Sequence, residues 1–134
     1  MISGAGSNRS GWAQGRVMFG GKTGFKFKIR MWVERNGVKV LGPGRIELME
    51  LIDRLRSISA AAKQMDMSYR RAWGLVRSIN SAAGETLIEV ATGGAGGGGA
   101  HLTDHGRAAL MRYRQITQRL ARTAAQLVGE DALV

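Results

Sequence analysis

Arg70 and Arg77 stand seven residues apart in a stretch, Ser68 to Ala83, that holds three arginines and neither Asp nor Glu. Guanidinium groups free of carboxylates present planar, bidentate donors to phosphate oxygens and to the acceptor edge of guanine. At about 100° per residue, Ala72, Leu75, Val76 and Ile79 gather on one side of a helix. Arg70, Gly74 and Arg77 fall almost opposite. The apolar side predicts burial, and Gly74 predicts a place where the helix backbone comes close to whatever the arginines hold. Tyr69 and Trp73 sit four apart on the flank. Trp73 reads as a packing residue, and Tyr69 divides evenly between packing and contact. Arg71 lies nearer the core side and divides between a phosphate contact and a structural ion pair.

Other chemistry is scarce. Cysteine is absent, which excludes disulfides, thiolate zinc sites and cysteine nucleophiles. The two histidines, His101 and His105, flank a strand-to-helix junction, so no metal site is expected. Paired carboxylates and nucleophile–base pairs do not occur at useful spacing, so neither enzyme nor cofactor is expected. The run Gly93 to Gly99 has six glycines in seven residues but no Gly-Lys-Ser/Thr after it, so it is no phosphate-gripping Walker loop. It reads as a flexible hairpin tip. The net charge of +10 over 134 residues favours a polyanionic partner, either nucleic acid or a lipid surface. Basic residues are spread over several segments and not set beside an anchoring apolar face, which disfavours the membrane. With no apolar run of spanning length and no leader-like start, the expected location is the cytoplasm.

The elements that must position the arginines follow from periodicity and punctuation. Residues 1–24 carry seven glycines and three serines and are expected to be a flexible tail, with Met18 offering a later start. Residues 25–134 are expected to be one domain. Phe25, Phe27, Ile29, Met31 and Val33 alternate with Lys26, Lys28, Arg30 and Trp32, the period of a half-buried strand. Asn36-Gly37 supplies a tight turn, and Val38 to Leu41 the returning strand. Gly42-Pro43-Gly44 breaks the pattern. Leu48, Leu51, Ile52 and Leu55 then share a helix face. Ser59 is expected to cap a short helix from Ala60 to Met65, and Ser68 the helix from Tyr69 to Ala83, which Gly84 ends. Leu87 to Val90 and Ala100 to Leu102 form a hairpin. Thr103 caps a last helix on which Ala109, Tyr113, Ile116, Leu120, Ala124 and Leu127 follow a near-heptad seam. Met49, Met65 and Met67 fill core gaps.

Helix, helix, tight turn, helix and two-stranded wing is the order of a winged helix-turn-helix. The expected class is mainly α with small β, carrying an N-terminal hairpin and a long C-terminal dimerisation helix. In that arrangement the residues expected to touch double-stranded DNA are Ser59, Ser68, Tyr69, Arg70, Arg71, Gly74 and Arg77, with Gly94 and Gly96 at the wing. Tyr113, Ile116, Leu120 and Leu127 are expected to join two copies.

The run Ser57-Ile58-Ser59-Ala60-Ala61-Ala62-Lys63, then Met67-Ser68-Tyr69-Arg70-Arg71-Ala72-Trp73, resembles the DNA-binding domain of ModE-type molybdate-responsive transcription regulators. The glycine run and Ala100-His101-Leu102-Thr103-Asp104-His105-Gly106 resemble that family's wing and helix cap, so the likeness extends roughly from Phe25 to Leu127. A broader similarity to LysR-type domains rests on the same Ser-x-Ser-Ala-Ala-Ala and Leu-Thr-x-x-Gly patterns. The resemblance implies a homodimeric regulator of transcription on a palindromic operator, tied to molybdate-responsive control. Arg56 and Asp66 stand where the family usually has glycine. The family's oxyanion-binding domains do not follow within the chain, so the expectation is a DNA-binding relative without a sensor of its own. The alternative is a non-enzymatic interaction module that pairs with a full-length regulator.

Overall fold

The computed structural model describes residues 16–18, 26–91 and 99–130. They fall into two compact units, one from Trp32 to Met111 and one formed by residues up to Met31 together with those from Arg112 onward.

The Trp32–Met111 unit opens with strands β3 (Val33–Arg35) and β4 (Val38–Leu41), paired antiparallel with a bulge between Val33 and Glu34. Asn36 and Gly37 both have positive φ, 54° and 78°, as the expected two-residue turn requires. Helix α1 (Pro43–Leu55) follows directly. The Gly-Pro-Gly expected as a break is the helix start, because proline lacks the N–H that the first turn leaves unbonded. Leu48, Leu51 and Ile52 are buried as expected, together with Ile46 and Met49.

Helix α2 (Ile58–Gln64), the turn, and helix α3 (Tyr69–Ala83) come next. Strands β5 (Ile88–Val90) and β6 (Ala100–Leu102) pair as the wing, and helix α4 (Asp104–Glu130) leaves it. This is a winged helix-turn-helix. Its centre is formed by Leu48, Met49, Ile52, Val76, Ile79, Ile88 and Leu102, all fully buried.

Of residues 1–24, expected to be a flexible tail, all but 16–18 lie outside the described residues. Arg16–Met18 is strand β1, paired antiparallel with β2 (Lys26–Lys28). The continuous strand expected from Phe25 is two short ones, β2 and β3. Phe27, Ile29 and Met31 are half-buried while Lys28 and Arg30 are exposed, so the alternation survives without continuous pairing. Period two reports which side faces the core; pairing needs a partner, and β2 and β3 have different ones. Phe25 and the side chain of Lys26 lie outside the described residues.

The seam expected on α4 divides into two strips. Leu110, Tyr113, Thr117 and Ala121 are buried within the chain. The Thr117 hydroxyl donates to the carbonyls of Tyr113 and Arg114, both at 3.1 Å, which satisfies it without a distant partner. Ile116, Leu120 and Leu127 remain exposed. Tyr113, expected between two copies, is covered within one: its hydroxyl donates to the Met31 carbonyl at 2.8 Å.

Candidate nucleic-acid interface

Two left-handed residues set the angles of the helix-turn-helix. Arg56 closes α1 with φ 58°, and Asp66 makes the α2–α3 turn with φ 55°. Because the chain reverses at Arg56, the cap of α2 is Ser57 and not the expected Ser59. The Ser57 hydroxyl accepts the Ala60 N–H at 3.1 Å. Ser59 stands exposed in the first turn of α2. Ala61 and Ala62 are buried, and such small side chains let α2 and α3 pack closely. The Met67 N–H returns to the Ala62 carbonyl at 3.0 Å, which fixes where α3 begins.

Ser68 caps α3 as expected, accepting the Arg71 N–H at 3.1 Å. Below the helix, Ala72, Val76 and Ile79 are buried and Leu75 is half-buried. Above it, Tyr69, Arg70, Arg71, Gly74 and Arg77 are all exposed. Arg71, placed nearer the core from spacing alone, stands in solvent. A methyl group built at Gly74 would meet nothing within 4 Å, so no neighbour within the chain requires glycine there. Among the described residues no ion pair involves an arginine of α3. Half-buried Trp73 underlies one of them, with the Arg77 guanidinium 5.9 Å from its ring centroid.

The wing is tied to this helix by a residue that the hydrophobic pattern passes over. Asn80 sits inside α3. Its carbonyl oxygen accepts the N–H groups of Leu87 at 2.9 Å and Ile88 at 3.1 Å, and its amide donates to the Ile88 carbonyl at 2.9 Å. Asparagine is a poor residue for a helix interior, and that was the available signal for an outside partner. On the other side of β5, Thr103 caps α4 as expected by accepting the Gly106 N–H at 3.0 Å. Its hydroxyl also donates to the Thr86 carbonyl at 2.7 Å. Across the wing, His101 meets Glu89 at 3.0 Å. At the loop end of the strand pair, where Ala100 faces Val90, the Ala100 N–H donates to the Arg56 carbonyl at 3.1 Å. Gly94 and Gly96 lie outside the described residues.

Arg45 is a second bracket without a sequence signal. From α1 its guanidinium donates to the Lys39 carbonyl at 3.0 Å and to the Ser78 hydroxyl at 2.9 Å, joining β4 to α3. Burial pulls its pKa below the ordinary arginine value. Arg35, on β3, donates to the Ala82 carbonyl at 3.4 Å near the end of α3.

Among the described residues no three His, Asp or Glu side chains gather to hold a metal ion. None of the described helices is long and apolar enough to cross a membrane. What remains is a rigidly braced helix with a cationic, acid-free outer face, flanked by a two-stranded wing.

Residues 44–107 match the family model of bacterial regulatory helix-turn-helix proteins of the lysR family. The chain is 38% identical over 94 residues to the molybdenum transport protein ModE of Azotobacter vinelandii, covering 70% of this chain and 35% of that one. It is 38% identical over 91 residues to the DNA-binding transcriptional dual regulator ModE of Escherichia coli K12, covering 68% and 35%. To the molybdenum-pterin-binding protein MopA of Rhodobacter capsulatus it is 33% identical over 97 residues, covering 72% and 37%. The chain thus spans about a third of the length of these curated relatives.

Proposed function

We propose that the chain is a sequence-specific, dimeric regulator of transcription, a reading supported by the match of residues 44–107 to the lysR-type helix-turn-helix model and by the alignment of about two thirds of the chain with ModE proteins. Double-stranded DNA is its partner, and α3 enters the major groove. One observation carries this reading: α3 buries Ala72, Val76 and Ile79 while Arg70, Gly74 and Arg77 are exposed on the other side, with no carboxylate on the helix. A helix about 10–12 Å across fits a groove about 12 Å wide.

In this reading Arg70 and Arg77 meet base edges or phosphates, and Gly74 lets the backbone come close. Ser68, Tyr69 and Arg71 hold the DNA backbone at the start of α3, where unbonded N–H groups face an anion. Ser59 contacts the adjoining phosphate from α2, and the wing with Gly94 and Gly96 lies along the neighbouring strand. Two copies, joined through the α4 strip of Ile116, Leu120 and Leu127, set half-sites about 34 Å apart. The names of two relatives, the molybdenum transport protein ModE and the molybdenum-pterin-binding protein MopA, support a link to molybdate-responsive control.

The test is a gel-shift series on the duplex that the wild-type chain selects from a randomised library. Arg70→Ala and Arg77→Ala should each weaken binding, by about 1–3 kcal/mol where a bidentate guanine contact is lost. Unchanged affinity in both variants overturns the assignment of α3.

A further inference from the structure

Of the three exposed arginines of α3, the two that lie opposite its buried side, Arg70 and Arg77, are not equivalent. Arg77 lies over the Trp73 ring at 5.9 Å from its centroid. Arg70 is exposed, with no ring or carboxylate partner among the described residues. We propose that Trp73 is a positioning residue that holds the Arg77 guanidinium in place for a base edge, so that Arg77 is the specificity-determining arginine and Arg70 serves chiefly the phosphate backbone. This rests on α3 being the DNA-reading helix.

Geometry gives the indole this role. Trp73 is half-buried, which restricts its ring, and the Arg77 guanidinium lies over one face of it. Residues four apart on a helix are adjacent on its surface, which brings the guanidinium over the ring. A ring attracts the cation through its π face and leaves the in-plane N–H donors unspent. A carboxylate partner would consume the same donors that guanine O6 and N7 require. Ring stacking therefore orders the side chain without occupying it. Arg77 then loses less rotamer freedom on binding than an unrestrained arginine, and its donors arrive in one plane. Arg70, unrestrained, can follow a phosphate but pins no base edge. The two residues are about 10.5 Å apart along the helix, far enough to serve different parts of the groove.

The experiment uses the full chain and the duplex it selects from a randomised library, with every single-base variant of that duplex, read by fluorescence anisotropy at two salt concentrations. The base pair at which Arg77→Ala loses discrimination defines the position that Arg77 reads. Trp73→Met keeps bulk and removes the ring. It should lower discrimination at that one position about two- to fivefold, while leaving discrimination elsewhere and the salt slope unchanged. Trp73→Tyr and Trp73→Phe should fall between, Tyr nearer the wild type. A thermal melt accompanies each variant, and the Tyr and Phe variants carry the test if the Met variant unfolds. Loss of affinity equal at all positions, or no graded effect across the folded ring variants, overturns the positioning role. So does a result in which Arg70→Ala, and not Arg77→Ala, abolishes discrimination; in that case DNA reading by α3 stands. A wild-type chain that enriches no duplex overturns the regulator reading itself, and the proposal falls with it.

Discussion

The Asn80 side chain grips both backbone polar groups of Ile88, accepting its N–H at 3.1 Å and donating to its carbonyl at 2.9 Å. It does for the first wing strand what a neighbouring strand would do. The start of β5 is therefore anchored to α3 through one side chain. Asn80→Ala should destabilise the fold by about 1–3 kcal/mol, because partly buried backbone groups at Leu87 and Ile88 lose their partner. Urea denaturation measures this. Hydrogen exchange at the Leu87 and Ile88 amides should rise more than in the α1 core. Protection that stays uniform would show that β5 holds itself without the helix.

Two helical glycines should respond to alanine with opposite signs. At Gly106 an added methyl group would overlap the Leu87 carbonyl, so α4 could no longer start against β5. Gly106→Ala should cost about 1–3 kcal/mol, the usual penalty of overpacking. At Gly74 the methyl group meets open space. There the ordinary helix preference applies, and Gly74→Ala should stabilise by about 0.5–1 kcal/mol. Under the proposed function the same methyl group stands between the helix and the groove floor. Gly74→Ala should thus raise the melting temperature and weaken binding to the selected duplex, a pairing of effects that a packing role for Gly74 would not produce.

Helix α3 was legible in the sequence because three signals coincide on it: a 3.6-residue apolar period, a serine cap and an absence of acids. The division of α4 was not. Spacing placed Tyr113, Ile116, Leu120 and Leu127 on a single seam, yet burial on that helix is decided by what the rest of the chain lays against it. The Met31 carbonyl meets the Tyr113 hydroxyl, and an 82-residue separation leaves no local trace of that pairing. Strand β1 was hidden for a related reason, since Arg16–Met18 lies in a glycine-rich stretch and pairing with β2 does not show in composition. Ser57 and Ser59 were equally good caps by residue type. The left-handed turn at Arg56 decided between them, and a non-glycine residue does not announce that conformation.

That turn leads to a prediction about strain. Arg56 and Asp66 occupy the left-handed region with φ 58° and 55°. Side chains there crowd the following carbonyl at a cost of roughly 1–2 kcal/mol, less for Asp, whose short polar side chain tolerates the region. Glycine removes the strain but gives the unfolded chain more freedom. Arg56→Gly should stabilise by about 0.5–1 kcal/mol, and Asp66→Gly by less. Chemical denaturation of the two variants side by side tests the order. Destabilisation at Arg56 would mean that its side chain, and not only its backbone, supports the junction where the Arg56 carbonyl receives the Ala100 N–H.

The exposed strip on α4 carries the last prediction. Ile116, Leu120 and Leu127 are 40%, 46% and 61% exposed, at helical spacing beside the buried Tyr113–Thr117–Ala121 face. If two copies meet through this strip, Leu120→Asp should turn a dimer into a monomer in sedimentation velocity without loss of helix content, since the position contributes little to the chain's own core. The monomer should bind a two-half-site duplex with two independent, weaker events. Tyr113→Phe is the control. It removes the hydrogen bond to Met31 inside the chain, so it should lower stability by about 0.5–1.5 kcal/mol and leave the association state unchanged. A dimer that survives Leu120→Asp but dissociates with Tyr113→Phe would place the contact on the Met31 side of the helix.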